Sequence, residues 1–252
     1  MSKEIIVIPD IHGRTFWKEA VEKYPDADVI FLGDYLDPYY SLEHINSFEA
    51  RQNFHEIISY AKSHPNVTLL LGNHDLHYLT GADWGRKDNF SGDEIKEEFL
   101  SNAELLDFST MREIGGKRYL FTHAPIFQEW CEYTGMPSDL DELRPKMRDM
   151  IINFPKYRRD MNNIWGRGSR KRGGRDVCGS PVWADVEETE TCHLIDGADY
   201  HVFGHTQMNK PMITDRFACL DCHQAFKIDE NGKIEAVTEK TTPDLPEDDG
   251  WF

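Results

Sequence analysis

The sequence predicts an α/β domain built on a largely parallel core. Short β-branched apolar runs alternate with segments of helical periodicity in the order β-α-β-α-β, which favours parallel strands joined by crossover helices. Five apolar runs also end in a polar turn carrying Asp, Asn or His, the place where ligands of an open α/β sheet gather. At 252 residues the chain is long for one domain and short for two, so one domain with an insertion is expected.

Residues 4–9 (EIIVIP) are too short a run for a buried helix, and they break at Asp10-Ile11-His12-Gly13. Residues 14–24 place Phe16, Ala20 and Val21 on one helical face. The second strand, 29–32, ends at Gly33-Asp34-Tyr35-Leu36-Asp37-Pro38. Residues 43–63 carry Ile45, Phe48, Ile57, Ile58 and Ala61 at helical spacing and stop before Pro65. The third strand, 67–71, runs into Gly72-Asn73-His74-Asp75.

A helix is expected over 93–106, after which Gly115-Gly116 turns the chain into a strand at 118–122, ending at His123-Ala124-Pro125. Residues 128–187 show no strong strand and are rich in Pro, Gly, Arg and Met, so they read as a helical and loop insertion over the site. The fifth run, 200–203, leads to Gly204-His205-Thr206-Gln207. Strands are expected at 217–220 and 224–228, with 233–238 pairing back through Asn231-Gly232. Residues 1–238 thus form the expected domain, and 239–252 an acidic tail, loose unless Trp251 or Phe252 docks.

Composition narrows the function classes. With 39% hydrophobic and 29% charged residues and no run of about 18 apolar residues, the chain reads as globular, with no membrane partner. No early apolar stretch suits a signal peptide, and five irregularly spaced cysteines suggest reduced thiols, so a cytoplasmic location is expected. A formal net charge of −17 argues against a general nucleic-acid coat. Residues 156–175 nevertheless carry eight Lys/Arg and one Asp, which suggests either an anionic ligand or a solvated loop.

The five turns offer Asp10 and His12, Asp34, Asn73 with His74, His123, and His205. This oxygen and imidazole set suits manganese, iron or zinc better than a metal that selects thiolates. The motifs DIHG, GDYLD, GNHD, THAP and GHT, in this order, resemble the calcineurin-like metallophosphoesterases over roughly residues 4–228. The resemblance implies a four-layer α-β-β-α sandwich of two mixed sheets, with two divalent metals (manganese foremost; iron, zinc or nickel otherwise) at the C-terminal ends of strands. It also implies roles. Asp10 and His12 would hold the first metal, Asp34 would bridge both, and Asn73, His123 and His205 would complete the second. His74, oriented by Asp37, would protonate the leaving group, a task suited to an imidazole held by a carboxylate.

Two departures bear on the branch. Many phosphodiesterase members end in GHxH, whose second His binds the first metal; here that position is Gln207, which is similar to the serine/threonine protein phosphatase and diadenosine-tetraphosphatase branch. That branch, however, places Arg after GDxxD and before GNHE, where this chain has Pro38 and Leu71, with Asp75 in place of Glu. The guanidiniums that would grip a phosphate are therefore sought in Arg14, or in Arg167, Arg170, Arg172 and Arg175 of the insertion. His223, after a late strand, is a further candidate near the site.

Cys219-Leu220-Asp221-Cys222-His223 formally matches a haem-attachment pattern, but no export signal accompanies it, and a zinc site with Cys192 and His193 has no recognised spacing. His44, His55, His64 and His77 read as helix or surface histidines, and Tyr35, Tyr39 and Tyr40 as core or rim residues. The leading expectation is a metal-dependent hydrolase of a phosphomonoester: a small molecule, a nucleotide or a phosphoprotein. The alternatives are a phosphodiesterase or nuclease acting on nucleic acid or nucleotides, and a non-catalytic metal-binding scaffold.

Overall fold

The computed structural model describes residues 4–81 and 86–242. Its first sheet has the order β11-β10-β1-β2-β3-β4. Strands β1 (Ile5–Ile8), β2 (Asp28–Phe31), β3 (Val67–Leu70) and β4 (Leu106–Asp107) run parallel, and β10 (Phe226–Ile228) and β11 (Ile234–Ala236) add an antiparallel edge. The second sheet has the order β5-β6-β7-β9-β8. There β5 (Ser109–Ile114) and β8 (Met212–Ile213) are the antiparallel edges of a parallel centre formed by β6 (Lys117–Thr122), β7 (Tyr200–Phe203) and β9 (Phe217–Cys219).

Alternation along β1 explains the layering. Ile5 and Val7 join Ile30, Leu70, Phe121, Val202 and Ala218 in a core between the sheets. Ile6 and Ile8 point the other way, into a larger core shared with helices α1 (Phe16–Lys23) and α3 (Ser47–Ser63) through Phe16, Trp17, Phe54 and Ile57. Strands buried on both faces read as continuous apolar runs, which is why the motif strands were visible in the sequence.

The five motif strands do not share one parallel sheet. Three belong to the first sheet and two, β6 and β7, to the second, so the polar turns converge from both. Other expectations are corrected locally. The helix expected over 43–63 is two helices, α2 (Tyr40–Glu43) and α3, because His44 adopts a left-handed backbone. Asn46 and Glu49 then cap α3 reciprocally, at 3.0 and 2.9 Å.

The helix expected over 93–106 ends early: α5 (Gly92–Ser101) gives way to a 3₁₀ turn and then to β4. The unforeseen β5 pairs with β6 across Gly115-Gly116, both at positive φ. Residues 128–187 contain α6 (Gln128–Thr134), α7 (Leu140–Ile152) and α8 (Phe154–Ile164), followed by two 3₁₀ turns. Residues 243–252, with Trp251 and Phe252, lie outside the described residues.

Candidate active site

Asp10 and His12 follow β1, Asp34 and Asp37 follow β2, and Asn73 and His74 open helix α4 (Asn73–Thr80) directly after β3. His123 follows β6 and His205 follows β7. The fold brings together ligand atoms of Asp10, Asp34, His123 and His205, all within 4.8 Å of one another. His123 Nε2 lies 3.1 Å from Asn73 Oδ1 and 3.1 Å from His205 Nδ1. His12 Nε2 approaches Asp34 Oδ2 at 3.5 Å, and His123 Nε2 approaches the same oxygen at 3.6 Å. Asp34 therefore stands between two groups of donors, Asp10 with His12 and Asn73 with His123 and His205.

The imidazoles are aimed by backbone carbonyls. Leu36 O lies 2.7 Å from His12 Nδ1, and Leu32 O lies 2.9 Å from His123 Nδ1, which leaves each Nε2 facing the cluster. Burial, then His74, Arg14 and Arg86, holds the His12 pKa well below its ordinary value. Burial, then Arg172 and the neighbouring histidines, does the same for His205. These rings are neutral at pH 7, as ligands must be. Burial and the Asp10 charge push the Asp34 carboxyl up.

Two glycines admit the carboxylates. A Cβ on Gly72 would lie 2.1 Å from Asp34 Oδ1, and one on Gly204 would lie 2.3 Å from Asp10 Oδ1. Asp75 braces the turn after β2, accepting from the amides of Asp34 (2.7 Å), Tyr35 (2.9 Å) and Gly72 (2.8 Å). Backbone strain concentrates here. Among the described residues seven non-glycine residues have positive φ, and all but His44 (His12, Asp34, Asp37, Arg86, His205 and His223) lie in or beside this site, where strain commonly marks function.

Beside the cluster, His74 Nδ1 and His77 Nε2 approach Asp37 Oδ2 at 2.8 and 2.7 Å, and the Tyr78 hydroxyl donates to its other oxygen. Burial works against the Asp37 charge, but the hydrogen bonds from His74 and His77 outweigh it and hold its pKa below the usual range. Arg86 Nη1 donates to Asp37 O at 2.8 Å, and its Nη2 lies 3.2 Å from His74 Nε2. Its guanidinium covers the Tyr39 ring at 3.4 Å from the centroid.

Asp10, His12, Asp34, Asn73, His74 and His205 line a cavity of about 250 Å³, whose wall also includes Arg86, Arg172, Trp183 and Asp221. Of the arginines sought in the sequence, only Arg172 reaches it. Arg14 is buried and committed to Glu43, at 2.8 and 2.6 Å. Arg167 is forked onto Asp176, at 3.0 and 2.6 Å, and Arg170 and Arg175 are exposed. His223 lies behind the wall, its Nε2 2.7 Å from Gln207 Nε2. Cys192 sits with Cys178 and Glu129, apart from Cys219 and Cys222, so the zinc set considered from the sequence is not assembled.

Four contributors escaped the sequence reading. His77 carried a signal, since it follows His74 by three residues and shares its helix face. Arg86 stands alone in a polar stretch and carried none. Trp183 lies in the insertion, where no periodicity or motif singled it out. Asp221 was hidden inside the cysteine pattern.

The profile of the calcineurin-like phosphoesterase family matches residues 3–209. No curated protein matches the chain significantly in sequence. Among solved structures, a cold-active protein tyrosine phosphatase superposes with a TM-score of 0.58 at 14% identity, covering 96% of this chain and 80% of that one. A protein serine/threonine phosphatase from Saccharomyces cerevisiae superposes with a TM-score of 0.54 at 17% identity, covering 97% and 82%. At such identities these likenesses speak for the fold alone. The motif order, the two mixed sheets and the profile agree: the chain belongs to the calcineurin-like phosphoesterase family and is a hydrolase of phosphoester bonds.

Proposed function

We propose that the protein is a phosphatase that hydrolyses a phosphomonoester with two divalent metal ions, manganese foremost. The donor set fits such ions. Buried carboxylates face imidazoles, with Asp34 placed to serve both halves. Asp10 and His12 would hold one ion, Asn73, His123 and His205 the other, and Asp34 both. When bound, the ions supply a nucleophile at neutral pH and neutralise charge on the phosphoryl oxygens.

The observation that carries the monoester reading is the pair Arg86 and Arg172 on the wall of one small cavity with His74. Two guanidiniums match the dianionic end of a monoester better than the single charge of a diester. They stand in for the two arginines whose usual places hold Pro38 and Leu71. His74 is the general acid. Asp37 fixes its Nδ1–H, and its Nε2 faces the cavity under Arg86. An incoming phosphoryl group competes for Arg86, which frees Nε2 to take up a proton and then deliver it to the leaving oxygen.

The nuclease alternative loses support because part of the basic stretch is neutralised on its own surface: Lys156 pairs with Asp149, Arg167 with Asp176 and Lys171 with Glu187. Five free thiols favour a cytoplasmic location, and among the described residues no helix is long and apolar enough to cross a membrane. The test is hydrolysis of an aryl phosphomonoester beside its diester, with added Mn²⁺, in wild type, His74→Asn and Asp34→Ala. Monoester preference that both variants lose is expected. Diester preference, or full activity of Asp34→Ala, defeats the reading.

A further inference from the structure

Asp221 is a buried acid that the roles assigned above leave unused. It is 4% exposed and lines the same cavity as Asp10, His12 and Asp34. Its Oδ1 is shielded from solvent and has no hydrogen-bond partner among the described residues. A buried, unpartnered carboxylate oxygen is costly and calls for a cation. Neither nearby arginine forms an ion pair with it: Arg14 pairs with Glu43 and Arg172 with Asp185.

The backbone holds Asp221 in place. Leu220 N donates to Phe203 O and Met208 N donates to Asp221 O, each at 2.8 Å, which fastens the turn after β9 to the loop carrying His205. That loop also carries Gln207, at the position where many diesterase relatives place a histidine for the first metal. The Gln207 side-chain amide is spent on His223 at 2.7 Å, and Gln207 is absent from the residues that line the cavity. The first metal would then have only Asp10, His12 and the shared Asp34 as protein donors.

We infer that Asp221 is a further ligand of the metal held by Asp10 and His12, supplying from the turn after β9 the donor that Gln207 does not. The inference rests on the two-metal reading above. Asp221 lies beyond the stretch that the family profile matches, so the profile assigns it no role. A carboxylate here also hardens the site, favouring Mn²⁺ or Mg²⁺ over softer ions.

The test is Mn²⁺ titration of chelator-treated wild type and Asp221→Asn by calorimetry, with metal per chain measured after gel filtration. Wild type should bind two ions. Asp221→Asn should bind one as tightly as wild type and the other at least ~10-fold more weakly, and the absorption of its Co²⁺ form should shift. Melting of the metal-free proteins guards against a merely structural role. Asp221→Asn should melt at or above the wild-type temperature, since a buried charge has gone, yet gain less from added Mn²⁺. Two ions bound to Asp221→Asn with wild-type affinities would overturn the inference alone. Failure of wild type to bind two would overturn the two-metal reading, and this inference with it.

Discussion

Replacing Gly72 by alanine tests the site through one methyl group. Gly72 has φ −101° and ψ −177°, an extended backbone that alanine adopts freely, so any effect must come from the side chain. The added Cβ would stand 2.1 Å from Asp34 Oδ1 and 2.7 Å from His123 Cε1. Non-bonded heavy atoms prefer roughly 3.5 Å, so the Asp34 carboxylate must retreat by roughly 1.4 Å. It cannot turn freely, because Oδ1 accepts from His74 N at 2.9 Å and the turn is braced by Asp75.

Overpacking of this kind costs about 1–3 kcal/mol of stability, so the variant should still fold. A misplacement of about 1 Å or more at the shared ligand should lower kcat about 10²-fold. Bound metal per chain should fall with it. The assay is aryl phosphate turnover with Mn²⁺, metal content after gel filtration, and a melting curve. A folded Gly72→Ala protein with full metal content and activity within about threefold of wild type would refute the placement of Asp34 at the centre of the site.

Other variants separate the remaining roles. Arg86→Ala and Arg172→Ala should each raise KM for a phosphomonoester about 10- to 100-fold, the worth of a charge-assisted hydrogen bond, whereas Arg167→Ala should change it less than about threefold; a larger effect at Arg167 would move the phosphate grip to the insertion surface. Burial lowers the His74 pKa while Asp37 raises it, and a general acid is active below its pKa. The alkaline limb of the kcat profile should therefore move to lower pH in Asp37→Asn, and an unmoved limb would remove Asp37 from its orienting role. Burial beside Arg216 lowers the His201 pKa to about 4, so His201 takes up a proton in the unfolded chain before it does so in the folded one. Stability should be intact above pH 6.5 and fall by up to ~3 kcal/mol as pH drops towards 4; denaturant melts of His201→Gln should show a flatter pH dependence, and an unchanged slope would contradict the prediction.

The sequence was legible where physics acts locally. Strands buried on both faces read as unbroken runs, and the turns that follow them had few ways to carry Asp, Asn and His without function. Division of those strands between two sheets was legible only through the family resemblance and not from periodicity, because β4 has two residues and β5 alternates only partly, with Met111 and Arg112 half-buried in succession before the exposed Glu113. The insertion hid more. Whether Arg172 or Arg167 reaches the cavity depends on which carboxylate each meets, Asp185 or Asp176, and no periodicity encodes that choice.

The departures from the family pattern resolve differently from one another. Asp75 in place of Glu looked like a statement about substrate. Its carboxylate instead accepts three backbone amides across the turns after β2 and β3, so it fixes where Asp34 stands. On the proposed function, Pro38 and Leu71 in place of arginines do bear on substrate, since they would leave the phosphate grip to Arg86 and Arg172. Arg86 is held by Asp37 O, His74 Nε2 and the Tyr39 ring, all of which a bound phosphate would challenge. Recognition and proton delivery would then be coupled through one side chain. A variant that keeps the charge but not the fork, Arg86→Lys, should lose kcat as well as affinity, because an ammonium cannot leave the ring face and grip two phosphate oxygens in one motion. Loss of affinity alone, with kcat intact, would uncouple the two and leave Arg86 as a binding residue only.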